Sequence, residues 1–284
     1  MGRPRINAIA FGLFGIIGIL SSCTSDTPKK HFALAERLWT AKNYEASVQE
    51  YDQVVRKDPQ SSLGKQALFR AAITQSVFLN QQNAALEKLN LYLTKAESPE
   101  TAWQARKEIG EILYERLRRY QQALDHYKTM VGLRPKDPEI SEILFRIGKC
   151  NFFLWQFEEA DAVFRDVQQR FPKTVWGERA LYERGVVFFT QGEQRASERQ
   201  GGGSEIYKHA IRAYEEFLSA YPKSKLAVEA RFGIASCYEE MEQLELALQK
   251  FEDLEKTYPT PGVIRIKQIR IQERLAKRGG VKKP

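Results

Sequence analysis

A chain of 284 residues with 44 lysines and arginines against 36 acidic residues carries a formal charge of +8, a mild excess spread along its length except near the C-terminus. The length admits two compact domains or one elongated array, and three scattered histidines lack metal-ligand spacing. No glycine-rich phosphate loop, HExxH, nucleophile elbow or pair of cysteine couplets stands in the sequence. No catalytic activity, cofactor or small-molecule substrate is therefore expected.

The chain opens with Arg3 and Arg5, then an almost wholly apolar run from Ala8 to Leu20. A membrane-spanning helix needs about 20 such residues, so this run is too short to span. A basic segment, a short apolar segment and small residues before a cut describe a secretory signal peptide over residues 1–22. Leu20-Ser21-Ser22-Cys23 resembles the bacterial lipobox, which implies cleavage before Cys23 and a lipid on its thiol, with palmitate among the acyl chains. Thr24, where aspartate would retain a lipoprotein in the inner membrane, implies the periplasmic face of the outer membrane. Several acyl chains at about 0.8 kcal/mol per buried methylene make such an anchor effectively permanent. Cleavage leaves 262 residues with a net charge of +6, because Arg3 and Arg5 are lost. Nucleic acid is not an expected partner of an exported chain. Residues 23–27 form the lipidated N-terminus and linker.

From residue 28 to 259 one template recurs in "YEASVQEYDQVVRKDP", "YQQALDHYKTMVGLRP", "FEEADAVFRDVQQRFP", "YKHAIRAYEEFLSAYP" and "LELALQKFEDLEKTYP", with "NAALEKLNLYLTKAESP" a weaker sixth copy whose proline comes late. Its small positions are Ser47, Ala85, Ala123, Ala160, Ala210 and Ala247, separated by 38, 38, 37, 50 and 37 residues. An earlier helical pattern precedes each copy, with Ala35, Ala72, Gly110, Gly148, Gly185 or Ala235 near its middle. Small residues let two antiparallel helices cross closely, and aromatics three or four residues away fill the space beside the crossing. Proline stops the second helix, and Ser61, Ser141, Thr174 and Ser224 stand where N-caps are expected. A single such pair cannot bury its apolar face, so the pairs must stack.

This pattern resembles the tetratricopeptide repeat, which implies an all-α superhelical solenoid of about six repeats. A period of 37–38 residues exceeds the usual ~34 by about one helical turn, and resembles periplasmic envelope proteins such as the BamD family of β-barrel assembly lipoproteins and the Tol-Pal-associated repeat proteins. Repeat five carries 13 extra residues, an insertion at about 191–204 whose polar, glycine-containing composition predicts a mobile loop. Either a partner contact or a passive insertion would fit it. Cys150 and Cys237 occupy the same helical position two repeats apart, too far for a disulfide at about 8–10 Å per packed helix. Free, buried thiols are expected.

Residues 260–284 predict a capping helix and basic tail, despite an initial alternation of isoleucine with basic residues. Arg265, Lys267, Arg270, Arg274 and Lys277 give that helix a basic side, suited to solvent, to an acidic partner or to lipid headgroups.

The resemblance implies a concave groove lined by the first helix of each repeat. One row would hold Phe32, Phe69, Lys107, Phe145, Tyr182 and Phe232, either as groove anchors or packed between repeats. A second row, two turns on, would hold Trp39, Ser76, Tyr114, Phe152, Phe189 and Glu239, with further charge at Glu111 and Lys149. Aromatics supply flat contact area at low entropic cost. The carboxylate clamp of chaperone-binding repeats is not there. The resemblance to BamD implies a scaffold for outer-membrane β-barrel assembly, with barrel-assembly subunits or unfolded outer-membrane segments as partners. Alternatives are a pilotin-like lipoprotein that escorts a secretin, or a Tol-Pal or division-associated role.

Overall fold

A computed structural model describes residues 26–134, 139–198 and 203–279. The signal peptide, Cys23 and the end of the basic tail lie outside the described residues. The chain divides into two compact units, 1–71 and 72–284. Among the described residues there are thirteen α-helices and no strand. None is long and apolar enough to cross a membrane.

In the first unit, α1 (Pro28–Thr40) and α2 (Tyr44–Lys57) form an antiparallel hairpin. Thr27 caps α1 and Asn43 caps α2. Ala35 and Ser47 meet at the crossing with no exposed surface, and the Ser47 hydroxyl donates to the Ala35 carbonyl at 2.9 Å. Tyr51, four residues after Ser47, is fully buried, and its hydroxyl donates to Glu36. The start of α3 (Ser62–Val77) adds an Arg70–Glu36 pair at 3.5 Å.

The second unit continues the same grammar. After α3 come α4 (Gln82–Leu93), α5 (Pro99–Glu111), α6 (Tyr120–Leu133), α7 (Ile140–Phe153), α8 (Phe157–Arg170), α9 (Val175–Ser197), α10 (Gly203–Ala220), α11 (Ala227–Glu240), α12 (Leu244–Leu254) and α13 (Pro261–Gly279). A π-helical turn, Ile112–Arg116, extends α5. From α4 onward each helix packs on the next, and α7 and α11 also touch α9, so first helices form a layer of their own. A Cβ added to Gly148 would lie 2.5 Å from the Phe164 ring, and Gly110 and Gly185 are crowded alike by Tyr127 and Tyr214. Only a missing side chain permits these crossings. Tyr127, Phe164, Tyr214 and Phe251, each four residues after its small position, are all buried. Burying such a side chain contributes about 1.5–3 kcal/mol.

The expected caps hold in part. Ser61 and Thr174 accept the amides of Gly64 and Gly177, each at 3.0 Å. Ser224 accepts from Leu226 just ahead of α11. Ser141 lies inside α7 and is buried, with Glu139 at the N-cap position, because the helix starts two residues earlier than the spacing implies. The isoleucine-rich C-terminal segment is helical: Ile264 and Ile271, two turns apart, are buried against the Phe251 cluster.

Five non-glycine residues among those described have positive φ: Lys42, Asn80, Arg118, Trp155 and Glu242. Each sits at the turn between the two helices of its repeat. In repeats one, four and six the turn is a Schellman motif. In repeat four, for example, Trp155 donates to the Phe152 carbonyl at 3.0 Å and Gln156 to the Asn151 carbonyl at 2.9 Å. A non-glycine residue in this conformation costs roughly 1–2 kcal/mol.

Repeat five departs from the rule. The position equivalent to Trp155 is Gly192, which remains inside α9, and α9 runs 23 residues against 14 for α7. The predicted loop is therefore largely helix: α9 reaches Ser197, α10 begins at Gly203, and residues 199–202 lie outside the description. Gly192 lets Tyr207 pack against α9, and Gln194 donates to Glu198 at 2.9 Å one turn on. Polar composition alone missed that support.

Candidate functional site

The two predicted aromatic rows have distinct packing partners. First-row rings lean on the buried aromatic of their own second helix: Phe32 on Tyr51 at 5.6 Å in the first unit. Within the second unit the pairs are Phe145 with Phe164 (5.4 Å), Tyr182 with Tyr214 (5.7 Å) and Phe232 with Phe251 (5.5 Å). Phe145 also meets Trp176, and at 8 % exposure it is core rather than groove, a correction to the predicted site. Burial by a neighbouring repeat is invisible to spacing within one repeat. Phe32, Phe69, Tyr182 and Phe232 are half-buried.

Second-row rings lean instead on the residue three before the small position of the second helix. Trp39 meets Tyr44 at 6.1 Å in the first unit. In the second unit Tyr114 meets Tyr120 (5.8 Å), Phe152 meets Phe157 (6.0 Å) and Phe189 meets Tyr207 (5.7 Å). Repeat two makes the same contact with polar groups, the Ser76 hydroxyl donating to Gln82 at 2.9 Å. Trp39, Tyr114, Phe152 and Phe189 remain half-buried, so each offers part of a ring outward.

The charged groove residues form a ladder that the sequence reading missed. Arg146 on α7 reaches Glu111 at 3.3 Å and Glu115 at 3.2 Å. Lys149 pairs with Glu183 of α9 at 2.9 Å and lies 5.0 Å from the centre of the Phe152 ring. Lys107 pairs with Glu139 at 3.2 Å. Glu239, buried on α11, takes Lys267 at 2.8 Å and Arg274 at 3.4 Å from α13. Opposite charges about one repeat apart on successive first helices were the available signal. Of the predicted basic face of α13, Lys267 and Arg274 are thus committed inward, while Arg265, paired with Glu255 at 2.9 Å, and Arg270 are exposed.

Both free thiols and two of the histidines are held by burial or by hydrogen bonds. Cys150 and Cys237 are free and buried, and burial pushes both thiols up to about 12, keeping them protonated and unreactive. His126 is held below its ordinary range by burial while its Nε2 bonds the Arg106 carbonyl at 2.8 Å. In the first unit His31 bridges Glu50 and Asp26, and the Glu50 carboxylate foremost raises its pKa. What the second unit presents is a half-buried aromatic and ion-paired surface, suited to holding another polypeptide.

Comparison with known proteins is consistent with that geometry. Residues 104–272 match the model of the YfiO family, described as an outer membrane lipoprotein. No curated protein matches the chain in sequence. Among solved structures, the C-terminal part of a TPR repeat-containing protein from Cytophaga hutchinsonii is 16% identical, with a TM-score of 0.56 over 79% of this chain and 78% of that one. PilW, a widely conserved type IV pilus biogenesis factor, is 14% identical with a TM-score of 0.50, over 82% and 94%. Pseudomonas aeruginosa PilF is 15% identical with a TM-score of 0.48, over 87% and 97%. The fold is that of tetratricopeptide-repeat proteins.

Proposed function

The chain belongs to the YfiO family of outer membrane lipoproteins, and from that premise we propose that it is a non-catalytic scaffold in outer-membrane β-barrel assembly. The observation that carries this reading is the extent of the family match, which runs without interruption from α5 into α13 and so spans the aromatic and ion-paired first-helix layer. The lipid on Cys23 would hold the chain at the periplasmic face of the outer membrane. The half-buried rings of Tyr114, Phe152 and Phe189 would take amphipathic segments of assembly subunits or of unfolded barrel proteins, because flat rings bind at low entropic cost.

Depletion followed by quantitative proteomics of outer membranes tests the role. Many β-barrel proteins should fall together. Loss of a single secretin would contradict it and favour pilus biogenesis, the role named for PilW. Cys23→Ser tests the anchor separately: the variant should leave the outer-membrane fraction, and unchanged co-sedimentation would refute lipidation at this residue.

A further inference from the structure

The end of the repeat-four hairpin holds a feature outside the aromatic rows. Trp155 is 61% exposed although it occupies the left-handed turn position, with φ of 62°. The other residues in that conformation, Lys42, Asn80, Arg118 and Glu242, are all polar or charged. Glycine would hold the turn at less backbone cost, and the indole returns to the fold only the burial of its smaller part and one edge contact with Phe157. The fold thus gains little from an indole here, and such an outlier points to function.

Opposite the indole stands the extension unique to repeat five. Thr190, Glu193, Gln194, Ser197 and Glu198 recur at helical spacing on one face of α9 and, with Trp155, line a cleft of about 490 Å³. That volume lies within the usual ligand-cleft range of about 300–1,000 Å³. One wall is the Trp155 indole, set T-shaped against Phe157 at 5.7 Å. The other carries two carboxylates and three neutral polar groups. Burial, then the nearby Glu240, hold the Glu193 carboxyl above its ordinary range, with Lys267 opposing.

We propose that this cleft receives an arginine or lysine side chain presented by a partner protein, its cationic head lying between the Trp155 indole and the carboxylates of Glu193 and Glu198. Charge complementarity selects that occupant. An indole face attracts a cation, the facing carboxylates pair with it, and an anionic or purely apolar group would leave them unmatched. Repeat five's insertion then serves as one wall of a binding cleft. This inference does not depend on which envelope pathway the protein serves.

Fluorine NMR of the full chain labelled with 5-fluorotryptophan tests it, since the sequence has only four tryptophans. Trp155→Gly assigns the resonance without endangering the turn. The probe is an acetylated alanine pentapeptide amide with one central arginine, compared with its citrulline counterpart. The arginine peptide should shift the Trp155 signal saturably and the citrulline peptide should not. Combined Glu193→Gln and Glu198→Gln should weaken binding about threefold or more. Deleting residues 193–205 should abolish it. No saturable shift, equal shifts from both peptides, or unchanged binding in the glutamine variant would each overturn the proposal.

Discussion

Repeat four turns at Trp155, whereas repeat five continues through Gly192, although both put a glycine at the helix crossing and a buried aromatic four residues after the second helix's small residue. The two share everything up to the turn. In repeat four the backbone adopts a left-handed residue and reverses; in repeat five Gly192 stays helical because Tyr207 packs where a side chain would have been. The 13 added residues then prolong both helices, α9 by about seven residues or roughly 10 Å at 1.5 Å per residue. An insertion can thus add a surface to a repeat without altering the register that holds the array together.

The largest expected effect breaks what the two repeats share. Gly148→Leu should destabilise the protein by about 1–3 kcal/mol or more, because its side chain must enter the space of the Phe164 ring. Gly185→Leu should do likewise against Tyr214. Gly132→Ala on α6, where an added Cβ meets nothing within 4 Å, should be neutral or stabilising by up to about 1 kcal/mol. Chemical denaturation ranks the three, and equal midpoints would refute the crossing geometry.

Changing the turn that distinguishes them should have a smaller effect. Trp155→Gly removes the left-handed penalty of about 1–2 kcal/mol but adds the extra unfolded-state entropy of glycine and loses the edge contact with Phe157, so a net change within about 1 kcal/mol of zero is expected. Denaturant midpoints check it. A clear loss of stability would show that the exposed indole supports the fold and is not held for a partner.

Away from both repeats, pH should act weakly through His31. Its folded-state pKa lies above the ordinary 6.5, with Glu50 the foremost cause. The stability it contributes is fully present below pH 6.5 and is lost as pH rises through the raised value. An NMR titration should find His31 above 6.5, and Glu50→Gln should lower it. An unshifted midpoint in that variant would contradict the pairing.

Most of the hairpin grammar was legible because its signals are local. Gly148, Ala160 and Phe164 lie within one repeat, and their spacing alone places them at a crossing. The thiols of Cys150 and Cys237 were legible for the same reason, since equal positions in different repeats must lie apart. What escaped were relations between repeats. Phe145 is buried partly by Trp176 of the next repeat, and Glu239 is neutralised by Lys267 and Arg274 of the terminal helix. The repeat-five extension was misjudged because polar residues with three glycines look like a loop. Its helix is sustained by contacts such as Gly192 with Tyr207, and Gln191, which donates to Glu158 at 2.8 Å.

The claim that repeat five is an ordinary repeat carrying a helical extension is tested most directly by removing the extension. Deleting residues 193–205 joins Gly192 to Ile206 and restores the Gly185-to-Ala210 spacing to that of Gly148-to-Ala160. Gly192 then falls at the left-handed turn position, where glycine is favoured. Thermal unfolding followed by circular dichroism should show one cooperative transition close to that of the parent, with helical signal reduced only by the residues removed. A broad, non-cooperative melt would contradict the account and make the segment an integral part of the repeat.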